Sequence, residues 1–242
     1  MTFRILKSLA REPLLDVPAS SFRFPDVTNR VSIVGKTGTG KTVAGAWLLS
    51  EARFDLQPYV IVDYKRDPLL NKIERAIDID FDDVPEKPGL YHLKPLPNQI
   101  DQMEAWLWKV WGKGNIGLFN DEGYMLPDIE AFRTILTTGR AKHIPVITLS
   151  QRPVDLPRLT ISESEFFQAF HLNDRRDRET VSKFTPEDEI WGDWKKPPRL
   201  PQYHSRWYDV GKDFSCVLGP VPVEEKILQR FDDRLKPRRR LI

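Results

Sequence analysis

A short apolar run, Val31-Ser32-Ile33-Val34, leads directly into Gly35-Lys36-Thr37-Gly38-Thr39-Gly40-Lys41-Thr42, the pattern G-x-x-x-x-G-K-T. Each fixed position has a physical reason. The glycines let backbone N–H groups turn inward around an anion with no Cβ in the way. Lys41 can reach the β- and γ-phosphates of a nucleotide, and the Thr42 hydroxyl can ligate Mg²⁺. The residues that follow, Val43 to Ser50, are mostly helix-compatible. Phosphates held by Gly35 to Thr42 would therefore rest on a helix N-terminus, whose dipole favours negative charge. This strand, loop and helix constrain the chain to an α/β fold with ATP and Mg²⁺ as the implied cofactors. The bland alternative is a glycine-rich turn that only joins a strand to a helix.

With 242 residues the chain is long enough for one large α/β domain with a full core, and short for two. Its net charge is only +2, so any nucleic-acid surface must be local. A single cysteine, Cys216, excludes an internal disulfide and fits a reducing compartment. No stretch reaches the length of an apolar transmembrane span, and the N-terminus lacks a signal-peptide core. A cytosolic protein, or one carried inside a larger assembly, is expected.

Hydrophobic runs divide the chain. Residues 1–25 are basic and proline-interrupted and are expected to wrap the outside of a core that spans 28–185. Within the core, strands are predicted at Pro58–Asp63, Gly89–Leu93, Ile116–Asn120, Ile144–Leu149 and Phe166–Leu172, with helical stretches between most of them. Such alternation argues for a mainly parallel sheet covered by helices on both faces. The acidic region 67–90 reads as a solvated loop and surface helix. The helix Asp101–Trp111 carries Trp106, Trp108 and Trp111, which could stack on bases but more simply fill a core. A Pro- and Trp-rich loop follows at 186–202, an antiparallel edge hairpin at 203–220, and a basic tail at 221–242.

Three further elements carry chemistry. Asn120-Asp121-Glu122 ends an apolar strand. There Asp121 is placed to hold Mg²⁺ through water, and Glu122 to polarise an attacking water. Gln151 follows another strand; in a parallel sheet the strand C-termini share the ligand-binding edge, which sets Gln151 beside the γ-phosphate. Arg140, eleven residues earlier, would lie at the surface and could complete the site of a neighbouring subunit. A surface arginine alone is usually just solvated; the pairing with Gln151 singles this one out.

Taken together, the phosphate loop, the strand ending at Asp63 with Lys65 behind it, Asn120-Asp121-Glu122, and the run from Thr138-Gly139-Arg140 to Gln151-Arg152-Pro153 resemble the FtsK–HerA superfamily of DNA-translocating ATPases. Within it, the compact chain resembles the genome-packaging ATPases of tailless, membrane-containing phages and related DNA viruses. The resemblance covers roughly residues 28–185, with a looser match at the terminal hairpin. It implies a RecA-like (ASCE) P-loop NTPase and a single ATPase domain. Lys41, Glu122 and Gln151 would be catalytic. Arg140 would act in trans, as would Arg175 in the run Phe170 to Thr180.

The implied partners are double-stranded DNA, further copies of the chain in a pentameric or hexameric ring, and capsid-vertex or viral membrane proteins. The implied location is the host cytoplasm or the virion. Basic residues that could grip phosphates without reading bases are Lys65, Arg66, Lys142, Arg176, Arg178, Arg238, Arg239 and Arg240. Two other readings share the P-loop. A small-molecule kinase needs an acceptor pocket, against which the adjacent Asp121 and Glu122 argue. A nucleotide-gated structural component would scarcely hydrolyse ATP, against which Glu122 argues.

Overall fold

The computed structural model describes Phe3–Leu6, Leu14–Val17, 23–126 and 128–236. The expected N-terminal wrap therefore lies mostly outside the described residues, and Arg238, Arg239 and Arg240 wholly so. Strands β1 (Phe3–Leu6) and β2 (Leu14–Val17) pair antiparallel as a separate ribbon.

The remaining strands are β3 (Arg30–Val34), β4 (Pro58–Asp63), β5 (Ile77–Ile79), β6 (Gly89–Leu93), β7 (Gly117–Asp121), β8 (Val146–Ser150), β9 (Phe166–Ala169), β10 (Ser205–Asp209) and β11 (Phe214–Leu218). They form one sheet in the order β11-β10-β9-β3-β8-β7-β4-β6-β5. From β9 to β5 all neighbours are parallel, while β10 and β11 add an antiparallel hairpin at one edge. The helices are α1 (Lys41–Ser50), α2 (Pro68–Asn71), α3 (Ile100–Lys113), α4 (Glu130–Thr138), α5 (Arg158–Ser162), α6 (Arg175–Ser182) and α7 (Glu224–Leu235).

The central strands β3, β4, β7, β8 and β9 are buried on both faces, and their side chains alternate between the two sides of the sheet, as its pleat requires. Tyr59 and Ile61 of β4, Phe119 of β7 and Leu149 of β8 face α1 and α7. Val60, Val62, Leu118 and Val146 face α3 and α4. On α3, Met103, Trp106, Leu107 and Val110 are buried at helical spacing, and Trp106 Nε1 donates to the carbonyl of Asp83 at 2.8 Å. The tryptophan is thus a core residue with its one polar atom satisfied. Helix α1 approaches the sheet so closely that a Cβ on Gly45 would lie 2.8 Å from Leu149 Cδ2. A larger residue there would have to push Leu149 and Phe119 aside, so glycine suits the close approach that brings the loop before α1 down onto the strand ends.

Two segments differ from the sequence expectation. Within 67–90, Ile77–Ile79 forms β5, parallel to β6 at the sheet edge. Lys94 donates to Asp78 at 2.9 Å, so one of the acids there closes a local ion pair on the strand. The basic tail 221–242 begins as an amphipathic helix. Ile227 and Phe231 of α7 are buried against α1, with the Phe231 and Phe54 rings 6.1 Å apart. Arg230 and Arg234 both donate to Glu51 Oε2 at 2.7 Å, and Lys236 pairs with Asp232 and Asp233. Within its described part, apolar burial seats the helix, and Arg230, Arg234 and Lys236 are paired.

Candidate active site

The strand order puts the functional residues on one edge. β3 lies between β9 and β8, and β8 separates it from β7. The C-terminal ends of β3, β8, β7 and β4 deliver the Gly35–Thr42 loop, Gln151, Asp121-Glu122 and Lys65 side by side, in the crevice where parallel sheets bind ligands.

The loop is pinned at both sides. Gly35 N donates to the carbonyl of Ser150 at 3.2 Å and Lys36 N to that of His171 at 3.0 Å. Thr39 closes the turn, its hydroxyl donating to Lys36 O at 2.7 Å. Gly38 and Gly40 have φ of 79° and 94°, open to glycine alone at little cost. A Cβ on Gly35 would stand 2.6 Å from Phe170 Cβ. Lys41 begins α1 and is 6% exposed. Burial holds its ammonium below the usual lysine range, as does the charge of Lys65, against the pull of Glu122 and Asp121.

Thr42 Oγ1 donates to Asp121 Oδ1 at 3.4 Å. Asp121 is 1% exposed, and its Oδ2 is buried without a hydrogen-bond partner. Burial and the charge of Glu122 push the Asp121 carboxyl up to about 7. A hydroxyl and an unsatisfied carboxylate are the hard oxygen donors that Mg²⁺ takes alongside phosphate and water, so the pair fits that ion.

Glu122 follows in the left-handed region, at φ 65° and ψ 65°. Such a conformation in a bulky residue costs energy and persists where surrounding contacts fix it. Here Gln151 Nε2 donates to Glu122 Oε1 at 2.7 Å, and the Lys65 ammonium pairs with the same oxygen. Oε2 is buried with no hydrogen-bond partner. A Cβ on the next residue, Gly123, would collide with Thr148 Cγ2 at 2.2 Å, so only glycine lets the chain turn under Glu122. Gln151 reaches the other way as well: its Oε1 accepts from Thr37 Oγ1 at 2.5 Å. The phosphate loop and the buried acid are thereby joined through one amide.

Lys65 is held from behind by Asp63, which is fully buried and accepts from the backbone N–H of Lys65 and of Asp67 at 3.1 and 2.9 Å. Its Oδ2 also lies 3.2 Å from His92 Nε2. Burial works against the Asp63 charge, yet the contacts with His92 and the backbone N–H groups keep the carboxyl below its ordinary value. The sequence marks Lys65 as part of the family resemblance and as a candidate grip on DNA phosphates, not as a partner of Glu122. Its place against Glu122 depends on β4 lying next to β7.

The other predicted residues are spread over both sheet edges. Arg140 lies on the turn Gly139–Lys142 just before β8, at the edge opposite its own phosphate loop, and its side chain is 68% exposed. Arg175 opens α6 on the phosphate-loop edge, with its guanidinium 5.3 Å from the Trp194 ring. Arg66 donates to the carbonyls of Asp63, Lys94 and Pro95. Arg178 donates to those of Trp194, Leu172 and Asn173. Lys142 sits 4.4 Å over the Trp111 ring at the Arg140 edge. Of the described DNA-contact candidates, Lys65, Arg66, Lys142 and Arg178 thus have partners within the chain, and Arg176 is exposed.

One test of the Asp121 site is thermodynamic. With metal chelated, the folded protein takes up a proton that the unfolded chain releases between about pH 4 and about pH 7. Since the native state binds the extra proton, its stability falls as pH rises through that window. Asp121→Asn removes the charge. In EDTA at pH 8 it is expected to melt about 2–6 °C above wild type. The gap should close as the pH falls from about 7 towards 4 in a scanning-fluorimetry series; a gap independent of pH would put the cost elsewhere.

A parallel sheet with an extra strand between the P-loop strand and the acidic strand, and with a polar residue at that strand's end, defines a RecA-like P-loop NTPase of the ASCE type. The chain is 43% identical over 217 residues to the DNA packaging ATPase P9 of Enterobacteria phage PRD1, a match spanning 88% of this chain and 96% of that protein. This chain belongs to that family, the genome-packaging ATPases of the FtsK–HerA superfamily.

Solved structures extend the likeness of fold. The genome packaging NTPase B204 of Sulfolobus turreted icosahedral virus 2, in complex with ATP-gammaS, matches with a TM-score of 0.63 at 18% identity, over 82% of this chain and 100% of that one. EssC (ATPases 2 and 3) from Geobacillus thermodenitrificans matches with a TM-score of 0.63 at 12% identity, over 96% of this chain and 48% of that one. No protein-family model matches the chain. Among the described residues, no helix is long and apolar enough to cross a membrane.

Proposed function

We propose that this chain is the ATP-hydrolysing subunit of a ring motor that drives double-stranded viral DNA into a preformed capsid. One observation carries the reading: the hydrogen-bonded path from Thr37 of the phosphate loop through Gln151 to Glu122. A residue that touches both the loop and the buried acid can pass the presence of a γ-phosphate to the group that activates water.

The roles follow from the contacts. The loop Gly35–Thr42 and Lys41 hold the triphosphate of ATP. Thr42 and Asp121 would hold Mg²⁺, which would offset the negative charge of the phosphates during transfer to water. Glu122 orients the attacking water through Oε2 and takes its proton, while Lys65 and Gln151 fix Oε1. Gln151 reads the γ-phosphate.

Arg140 completes the site of the next subunit, and Arg175 is the second candidate for that role. The whole chain forms one ATPase domain, and its ring, of five or six copies, sits at a capsid vertex or against viral membrane proteins. Lys142, Arg176 and the segment with Arg238, Arg239 and Arg240 are the candidates for gripping DNA phosphates. Support comes from the family membership and from this geometry.

Phosphate release from ATP, with no acceptor other than water, tests the reading. Turnover is expected to rise on adding duplex DNA of any sequence, and the rise should fade steeply between 50 and 200 mM salt. Phosphate transfer to a small molecule without release would establish a kinase instead; turnover indifferent to DNA would remove the motor role.

A further inference from the structure

Beside the phosphate loop, on the side facing β9, lies an open cleft of about 520 Å³. One wall is the loop from Lys36 to Thr39. Phe170 and His171, just past β9, form the floor, and the segment 199–204 forms the opposite wall. Tyr203 is the largest side chain of that wall. Tyr203 as a whole is 49% exposed. It borders the turn at Gly40, where an added Cβ would come within 3.4 Å of Tyr203 Cδ1.

The backbone of Tyr203 is left-handed, at φ 60°, which an aromatic residue rarely adopts. The turn is fixed from both ends. His204 N donates to the carbonyl of Pro201 at 3.2 Å, and β10 begins at Ser205 and pairs with β9. A costly backbone conformation therefore holds an aromatic face in solvent, next to the phosphate loop.

The direction of a bound nucleotide follows from what fills the other side. Over β8, β7 and β4 the space is taken by the connected side chains of Gln151, Glu122 and Lys65. A nucleotide whose terminal phosphate faces Gln151 and Glu122 has its base on the opposite side of the loop, over β9. The cleft lies there.

We propose that Tyr203 is the nucleobase platform of the site: its ring stacks on the base of the bound nucleotide, with Arg199 and Gln202 at the rim. The inference rests on reading Gly35–Thr42 as a nucleotide cradle. Stacking engages the π-face of a base and not its hydrogen-bonding edge. The site should therefore register the presence and size of a base more than its identity, taking ATP and GTP alike and pyrimidine triphosphates less well.

Calorimetric titration of the full chain with ATP, and with inorganic tripolyphosphate as a base-free probe of the cradle, tests this. Tyr203→Asn removes the ring while tolerating the left-handed backbone, and Tyr203→Phe keeps the ring. Tyr203→Asn is expected to weaken ATP binding about 5- to 100-fold, with tripolyphosphate affinity unchanged. Tyr203→Phe should bind both as wild type does. Equal ATP affinity in Tyr203→Asn and wild type overturns the platform. So does a parallel loss of both ligands, which would make Tyr203 a support of the loop. Wild-type protein that binds neither ligand overturns the cradle reading itself, an outcome distinct from the other two.

Discussion

Glu122→Gln is expected to lower ATP turnover by about 10²–10⁴-fold while leaving ATP binding intact. Glu122 is 1% exposed and has its two oxygens in different situations. Oε1 is held by Gln151 and Lys65, whereas Oε2 is buried without a partner. That second oxygen is the one able to accept a hydrogen bond from a water between the acid and the γ-phosphate. Glutamine keeps the size of the side chain and can still offer its oxygen to Lys65, but it cannot take up a proton. Removing the base should therefore affect the chemical step and spare the cradle, whose residues Glu122 does not replace. Single-turnover phosphate release, read beside the affinity for a fluorescent ATP analogue, separates the two effects. Wild-type turnover in Glu122→Gln would show that another group activates the water.

The cradle was readable from the sequence because its chemistry is contiguous: eight adjacent residues carry both the ligand groups and the backbone freedom that shapes them. Asp121 and Glu122 were readable for a similar reason, as two acids at the end of an apolar strand. The pairing of Lys65 with Glu122 was not, because the two stand 57 residues apart and only the placement of β4 beside β7 brings them together. Tyr203 is likewise remote from the loop it flanks, and β10 brings it there by pairing with β9.

The strand alternation gave the parallel sheet, yet β5 escaped notice. Three residues with an acid at the centre and another just after carry too little periodicity to stand out from a solvated loop. In the tail, the density of arginine and lysine masked Ile227 and Phe231, whose spacing seats α7 on the core. Charge counts describe a segment's exposed face, and the buried face decides where it packs.

Arg140→Ala is expected to cost about 10³–10⁵-fold in turnover, and mixing it with a cradle-dead variant should restore part of the activity. The argument starts from where Arg140 sits. β8 runs parallel to β3, so a residue before β8 lies beside Arg30, at the start of the strand whose other end carries the phosphate loop. Five strand residues at about 3.3 Å each separate the two edges. Arg140 therefore cannot reach the phosphates of its own chain.

Among the described residues Arg140 pairs with Glu165, at 3.6 Å, and Glu165 also pairs with Arg30 at 3.5 Å and accepts from the Arg30 backbone N–H at 2.8 Å. An exposed and shared contact of this kind holds the arginine weakly and leaves it free to turn outward. A head-to-tail ring joins two different faces of the same subunit, which would set the Arg140 edge of one copy against the phosphate edge of the next.

Lys41→Ala subunits lose the cradle but keep Arg140, and Arg140→Ala subunits keep the cradle. In rings assembled from equal amounts of the two, about a quarter of the interfaces pair an intact cradle with an intact neighbouring arginine. Each variant alone should be inactive, and the mixture should recover turnover at that fraction of the wild-type level. Native mass spectrometry establishes that mixed rings have formed. Mixed rings without recovery would exclude Arg140 as the residue that finishes a neighbour's site, and Arg175, which shares an edge with the phosphate loop, would be tested next by the same mixing.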